Sequence, residues 1–522
     1  MHHARDAAAF RELSALRQEF YRCLLKRADA LFELTDAVLC ADGPVRSVAE
    51  LSLAGEHRRG HGSGYAALAQ GRVEFDRLRT ALTSVSLPRA ADGRLVLAVD
   101  VTCWLRPEAH TCPQRILCHT YGRGKDQHAM VPGWPYSVVV ALEAGRGSWT
   151  APLDVVRLAP GDIAANVTAR QIRDVVDRLT TAGQWRPGDP DILLVADAGY
   201  DGPRLAHVLA GLPITVLVRM RSDRVLHRPV GPQPPGTTGR PRRHGSEFAF
   251  SDQNTWGAPD ITIETTTRLY GPALIRAWDR LHPRLTHRIA WAGHDGTLPI
   301  LEGTVIRLQV ERLPSGATPK PVWLWHSRTG LDHTEVDLAW QAFLRRFDIE
   351  HTFRMLKQTL GWTTPKLRSP QAADRWTWLL ITAYTQLRLA RNLTTDLRRP
   401  GRNPAQRNAS ARHESAEGFG TCAHNSPAQP MSRNLHGQAP DAPPEHPTTG
   451  PPHDTTSTPS PARTPENPDA ATNPRRATPD PAEPVKTQAS RPAVGARCAP
   501  PPRPRAPAAV RESRRSARRV CA

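Results

Sequence analysis

Apolar positions recur in two rhythms along the first 400 residues and in none after them. In FRELSALRQEFYRCLLKRADALFELTDAVLC (10–40) they return at steps of three and four with charges between, which predicts two packed helices. From residue 94 the rhythm shortens. RLVLAVD (94–100), YSVVVALE (136–143) and TAPLDVVRL (150–158) are compact apolar runs of strand length, the last two separated by a turn holding Gly145. AANVTARQIRDVVDRLTTAG (164–183) has helical spacing again and is closed by Gly183. DILLVADAG (191–199) is apolar on both faces, the pattern of a strand covered on two sides. A short helix, DGPRLAHVLAGL, and a strand, ITVLVRM (214–220), follow.

Three strands with short connections predict an antiparallel meander, and the helical crossover then lays the fourth strand parallel to the first. The expected fold is therefore α/β, a mixed sheet flanked by helices. Asp100 and Asp197 each end a strand in this reading and would emerge side by side.

Residues 220–335 interrupt the scheme. Arg219, Arg221, Arg224 and Arg228 lead into a Pro/Gly-rich basic loop, GPQPPGTTGRPRRHG, and then into the strand-like runs DITIETT, ALIRAWDRL, TVIRLQVERL and PVWLWHS. This reads as a β-rich insertion with an exposed loop. Core helices resume over 335–361 and over Ala372 to Asn392, the latter with Trp376, Trp378, Leu379 and Leu380 as core candidates. FLRRFDIEHTFRMLKQTLG (343–361) has no Pro or Gly before Gly361 and is expected to be one helix. Phe343, Arg346, Glu350, Arg354 and Lys357 then share one side, a single carboxylate in a row of three cations.

The division expected is a helical DNA-binding region at 1–90, a core at 91–219 and 336–395, a β-rich insertion at 220–335 and a tail at 396–522. From residue 400 on, the chain holds 24 of the 50 prolines and one aromatic residue, Phe419, which cannot build a core, so a disordered tail is expected. The formal net charge is +19, of which the tail carries 17 Lys+Arg against 10 Asp+Glu, so the basicity lies mainly in the folded part. An anionic polymer is the first partner to consider. In the N-terminal region Arg58, Arg59, Arg72, Arg77 and Arg79 are candidates for phosphate contact, with ordinary solvated surface as the alternative for each. No apolar run is long enough to cross a membrane, and the first twenty residues lack the apolar core of a signal peptide. The eight cysteines include no CxxC pair, as in a reduced cytosol. Cys103, His110, Cys112, Cys118 and His119 lie close together, but their spacing matches no standard zinc pattern.

Asp100, Asp197 and Glu350 come from three separate elements and form a trio of hard oxygen donors, the kind that suits Mg²⁺. Two such ions about 4 Å apart activate a water or a 3′-hydroxyl and stabilise the leaving oxygen of a phosphoryl displacement. Taken singly, each aspartate is read first as a turn former or helix cap; Asp201, further from its strand, ranks below Asp197. DVT (100–102), DAGYD (197–201) and Phe343-x2-Arg346-x3-Glu350-x6-Lys357 together resemble the insertion-sequence transposases of the DDE superfamily. The narrower likeness is to the group with a Tyr-x2-Arg-x3-Glu-x6-Lys signature and a β-rich insertion. The wording of CHTYGRGKDQHAMVPGWPYSVV and AGQWRPGDPDILLVADAGYD is similar to its actinobacterial members, over residues 10–395.

The resemblance implies a ribonuclease H-like core, with Asp100, Asp197 and Glu350 as the catalytic, metal-binding triad for two Mg²⁺ ions, Mn²⁺ substituting. It implies that Arg346 and Lys357 hold transposon-end phosphates. Phe343, Arg354, Arg219 and Arg221 complete the expected DNA contacts. The partners would be double-stranded DNA and a second copy in a synaptic dimer, in the bacterial cytoplasm at the nucleoid. Trp323 and Trp325 read either as buried strand residues or as stackers on a flipped base. Two departures from the group stand out. Phe343 replaces the signature tyrosine, and a tail without the usual basic segment suggests a frameshift near residue 400. They leave a catalytically impaired DNA-binding remnant as the main alternative, with a structure-selective nuclease as a third.

Overall fold

Alternation along two neighbouring strands decides which face of the sheet carries the acidic residues. The computed structural model describes residues 2–393 except 122–127, 146, 232–239, 268–269, 289–290, 314–317 and 392. The expected disordered tail and the middle of the basic loop lie outside them. In strand β1 (Val96–Leu105), Leu97 and Val99 are buried on one face with Leu95, against helix α6 (Ala164–Thr181) and helix α7 (Gly202–Val208). Val96 and Ala98 are buried on the other face. The even positions continue to Asp100 and Thr102, so these share the second face.

Ten strands form the main sheet: β1, β2 (Ile116–Tyr121), β3 (His128–Leu142), β4 (Thr150–Arg157), β5 (Ile192–Ala196), β6 (Ile214–Met220), β7 (Ile261–Thr267), β8 (Gly271–Leu281), β9 (Gly303–Val310) and β10 (Val322–His326). Their order is β7-β8-β9-β10-β6-β5-β1-β3-β2, with β4 also paired to β3. The antiparallel meander β1-β3-β4 is present, and β5 runs parallel to β1 after the α6 crossover, as expected.

Three features depart from the sequence reading. Strand β1 does not end at Asp100; it continues to Leu105 because Asp100 through Leu105 pair with Val138 through Gly133 of β3. At Gly133 a Cβ would come within 2.6 Å of the Trp104 carbonyl oxygen, so only glycine lets the strands close there. Strand β2, which the reading left out, forms a hairpin with the early part of β3. The β-rich insertion, given no place in the sheet by its sequence, adds β7 to β10 to the edge of β6 and lengthens the core sheet. Its far side has its own aromatic core of Phe248, Phe250, Trp256, Trp278, Trp323 and Trp325.

The second face of the sheet is covered by α8 (His333–Arg345), α9 (Asp348–Arg354) and α10 (Pro370–Ala390), and the N-terminal helices pack onto α10. Arg375 of α10 donates to the Leu68 and Ala69 carbonyls, capping the end of a helix at Ser63–Gln70. Residues 1–90 thus share, through their helices, the core cluster that α10 belongs to. Their basic side chains are largely paired: Arg59 with Asp29 and Glu33, Arg77 with Glu19, Arg79 with Asp76 and Asp154. Among the described helices none is long and apolar enough to cross a membrane.

His326, fully enclosed at the end of β10, gives the fold an acid limit. Burial, with smaller contributions from Arg328 and Arg94, lowers its pKa to about 3. The folded state therefore favours the neutral ring, whose Nδ1 accepts the Arg328 amide at 3.0 Å. This stabilisation is complete above the ordinary histidine value of about 6.5 and is lost as pH falls from there towards 3, by at most about 1.4 kcal/mol per unit. In urea unfolding at pH 7, 6 and 5, the native chain should lose stability faster than His326→Asn; parallel losses would exclude the assignment.

Candidate active site

The parallel register between β1 and β5 pairs Val96 with Leu193, Leu97 with Leu194 and Ala98 with Val195. Continued by two residues, it sets Asp100 beside Asp197. On β5, Leu193 and Val195 belong to the same buried face as Val96 and Ala98, so Asp197 follows them onto the face bearing Asp100. Asp201 is no member of this pair; its side chain caps α7 by accepting the Arg204 amide at 3.0 Å.

The third carboxylate arrives from a bent helix. The expected single helix over 343–361 is divided. Helix α8 ends at Arg345, α9 begins at Asp348, and a π-helical turn occupies Met355–Thr359. Arg346 and Phe347 keep right-handed helical angles, but the Ile349 and Glu350 amides bond three residues back, to the Arg346 and Phe347 carbonyls, both at 3.1 Å. Past the bend Leu360 reaches back five residues to Met355 at 3.0 Å. A tight turn followed by a wide one rotates the side chains out of the row that a uniform helix would give. Phe343 is 1 % exposed and packs in the core, so it offers no surface to DNA in this conformation. Arg354 stays on the exposed side.

Arg346 turns inward and is 2 % exposed. Its guanidinium lies 3.2 Å from Asp100 Oδ2, 3.4 Å from Glu350 Oε1 and 3.9 Å from Asp197 Oδ2. The structure thus brings all three predicted carboxylates around one cation. Arg346, expected to hold transposon-end phosphates, has its side chain enclosed among them. Arg219, reaching from β6, stands 3.6 Å from Asp197 Oδ1. Arg221 pairs with Asp223 on the exposed rim. Lys357 is also turned inward: its ammonium donates to Thr102 Oγ1 at 2.6 Å and to the Cys103 carbonyl at 3.2 Å, tying the π-helical turn to β1. Burial lowers its pKa, opposed by the Cys103 and Cys118 thiols.

Electrostatics at the site follow from enclosure. The Asp100 pKa is raised, chiefly by burial, with the Arg346 charge and the Val101 amide acting the other way and Asp197 and Glu350 adding repulsion. Tyr200, the aromatic residue of DAGYD, has its hydroxyl buried. Its pKa is pushed up by that burial and by the nearby Asp100 charge. It lies in the turn directly after β5, its amide donating to the Asp197 carbonyl at 3.1 Å, and that place was the only signal in the sequence.

The donor set suits divalent hard cations. It is all oxygen, carries more negative charge than the single enclosed guanidinium offsets, and keeps Asp197 Oδ1 buried with no hydrogen bond. As the side chains stand around Arg346, no three His, Cys, Asp or Glu among the described residues form a ready metal cage. The same holds for the cysteine and histidine cluster at 103–119. Trp323 and Trp325, alternatives for base stacking, are buried in the insertion's core.

A family model described as DDE superfamily endonuclease matches residues 19–284, a stretch that holds Asp100 and Asp197 and stops short of Glu350. No curated protein matches the chain. Among solved structures it is similar to one titled "Cryo-EM structure of piggyBac transposase synaptic complex with hairpin DNA (SNHP)". That similarity has a TM-score of 0.37 and 9% sequence identity and covers 77% of this chain and 73% of that chain.

Proposed function

The chain belongs to the DDE superfamily endonucleases, and from there we propose that it is a DNA transposase that cuts the inverted ends of its element and joins them to a target. The observation that carries this reading is the convergence of Asp100, Asp197 and Glu350, far apart in sequence, on one guanidinium. We assign residues 91–219 and 336–395 to a ribonuclease H-like core on the strength of the meander, the crossover and the acidic pair on adjacent parallel strands. Residues 220–335 are the insertion that extends it.

In this reading Asp100, Asp197 and Glu350 hold two Mg²⁺ ions, with Mn²⁺ able to substitute. Bound there, the ions would supply an activated water or 3′-hydroxyl and charge stabilisation of the leaving oxygen. The protein's own residues position and neutralise. Arg354, Arg219 and Arg221 present exposed guanidinium groups for phosphate, giving DNA affinity that falls with salt. Lys357 braces Thr102 behind Asp100. Handling two ends together calls for a synaptic multimer, most simply a dimer, in the bacterial cytoplasm at the nucleoid.

The main rival, a DNA-binding remnant unable to cut, draws on Phe343 in place of tyrosine. Its ring is interior, so the change removes no surface group in this conformation, which favours the enzyme. Incubating the full chain and Mg²⁺ with DNA carrying the gene's own flanking repeats tests the proposal. Cleaved ends and joined products, both abolished by chelation, are expected. Binding without cutting would leave the remnant, and cutting without joining a structure-selective nuclease.

A further inference from the structure

Several arginine bridges elsewhere among the described residues include a contact under 3.0 Å, Arg388 with Glu143 at 3.2 Å being an exception. Arg17 meets Asp36 at 2.7 and 3.0 Å, Arg157 meets Asp374 at 2.9 and 3.2 Å, and Arg79 and Arg178 meet the enclosed Asp154 at 2.8 and 2.9 Å. Arg346 differs. It is as enclosed as Arg17, yet its three contacts run from 3.2 to 3.9 Å, beyond the usual 2.7–2.9 Å of a charge-assisted hydrogen bond. Its Nε is buried with no hydrogen bond, as is that of Arg178. One guanidinium is shared among three acids and settles fully on none.

The surroundings permit it to move. The acids are more open than the cation between them: the side chains of Glu350 and Asp197 are 55% and 37% exposed, that of Arg346 3%. Arg346 also sits at the bend between α8 and α9, where the backbone changes from four-residue to three-residue bonding. The half-exposed Phe347 ring lies 4.9 Å from its guanidinium carbon.

We propose that Arg346 is an exchangeable counter-ion, holding the three carboxylates together in the resting chain and giving up its place to divalent cations. This rests on the metal-dependent reading above and adds regulation of the same site. The displaced guanidinium carries its charge to an incoming phosphate, so cations and DNA each favour the binding of the other. The triad is thereby assembled but masked until DNA arrives.

Mn²⁺ binding to the full-length chain, followed by electron paramagnetic resonance without DNA, tests this. Site-specific binding is defined as the part lost in Asp197→Asn. If the guanidinium fills the site about nine-tenths of the time, Arg346→Gln should bind Mn²⁺ about tenfold more tightly than the native chain. DNA should tighten Mn²⁺ binding in the native chain and much less in the variant. Arg346→Lys, which keeps a charge but reaches fewer oxygens, should fall between the two and carries the test if the glutamine variant does not fold. Equal or weaker Mn²⁺ binding by both variants overturns the counter-ion role while leaving the metal site intact. Absence of Mn²⁺ binding at Asp197 in every folded chain overturns the metal-dependent reading itself and this inference with it.

Discussion

Asp100→Asn should melt at or slightly above the temperature of the native chain and cleave end-bearing DNA at least about 10³-fold more slowly, which corresponds to about 4 kcal/mol in the barrier. The two halves of this expectation have separate causes. Asn is nearly the same shape, and its side-chain oxygen can still accept the Val101 amide that Asp100 Oδ1 now accepts at 2.8 Å. Burial opposes the charged form of Asp100, so removing the charge relieves a cost. Arg346 keeps two of its three acidic partners. The donor lost to chemistry is not replaced, because a neutral amide holds a divalent ion weakly where a carboxylate would neutralise it. Asp197→Asn and Glu350→Gln should behave alike. Asp201→Asn is the internal contrast: it touches only the α7 cap and should cost about 1 kcal/mol of stability at most with cleavage unaffected. Initial cleavage rates with Mg²⁺, beside calorimetric melting of each variant, separate these outcomes. Cleavage by Asp100→Asn within tenfold of the native rate would place the chemistry elsewhere.

What could be read from the residues divides along a physical line. Short-range order was legible: the short apolar runs LVLAVD and ILLVADAG placed two strands, and the helical spacing between them required a parallel crossover that juxtaposes Asp100 and Asp197. Long-range pairing was not. Nothing local says that β1 continues past Asp100, because what holds Thr102 to Leu105 in the sheet is β3, some thirty residues away, with Gly133 admitting the contact. Nor does the insertion's sequence reveal that its strands extend the core sheet, since an edge strand pairs as readily with a neighbour as with a partner of its own. The bend at Arg346 was invisible for a different reason. Every residue from Phe343 to Leu360 tolerates a helix, so propensity is silent about a change from three-residue to five-residue bonding that packing alone selects. The same bend decides which cations face solvent, and that is why Arg354 keeps the expected outward position while Arg346 and Lys357 do not.

Loss of Arg17 should be among the costly changes remote from the surface, because that residue joins three helices that the sequence suggested were two regions. It lies on α1 (His2–Cys23), 2% exposed, and its guanidinium reaches Asp36 on α2 (Ala28–Leu39) and, at 2.7 Å, the side-chain oxygen of Gln386 on α10. It also lies over the Phe32 ring at 4.9 Å. Arg17→Met keeps most of the volume and removes the charge, leaving the Asp36 carboxylate largely enclosed and opposite no cation, and the fully buried Gln386 short of a donor. Breaking one side of such a buried pair costs about 3–5 kcal/mol. Replacing both charged partners, as in Arg17→Met with Asp36→Leu, should recover part of the loss, because no stranded carboxylate remains. Urea unfolding followed by both tryptophan fluorescence and circular dichroism measures the cost and its reach. If residues 1–90 are one cooperative unit with the core, Arg17→Met shifts both signals together, since Trp376 and Trp378 of α10 sit in the same cluster as Phe20 and Phe32. A cost below about 1 kcal/mol, or helical signal lost before tryptophan burial, would return the N-terminal helices to the status of a separate region.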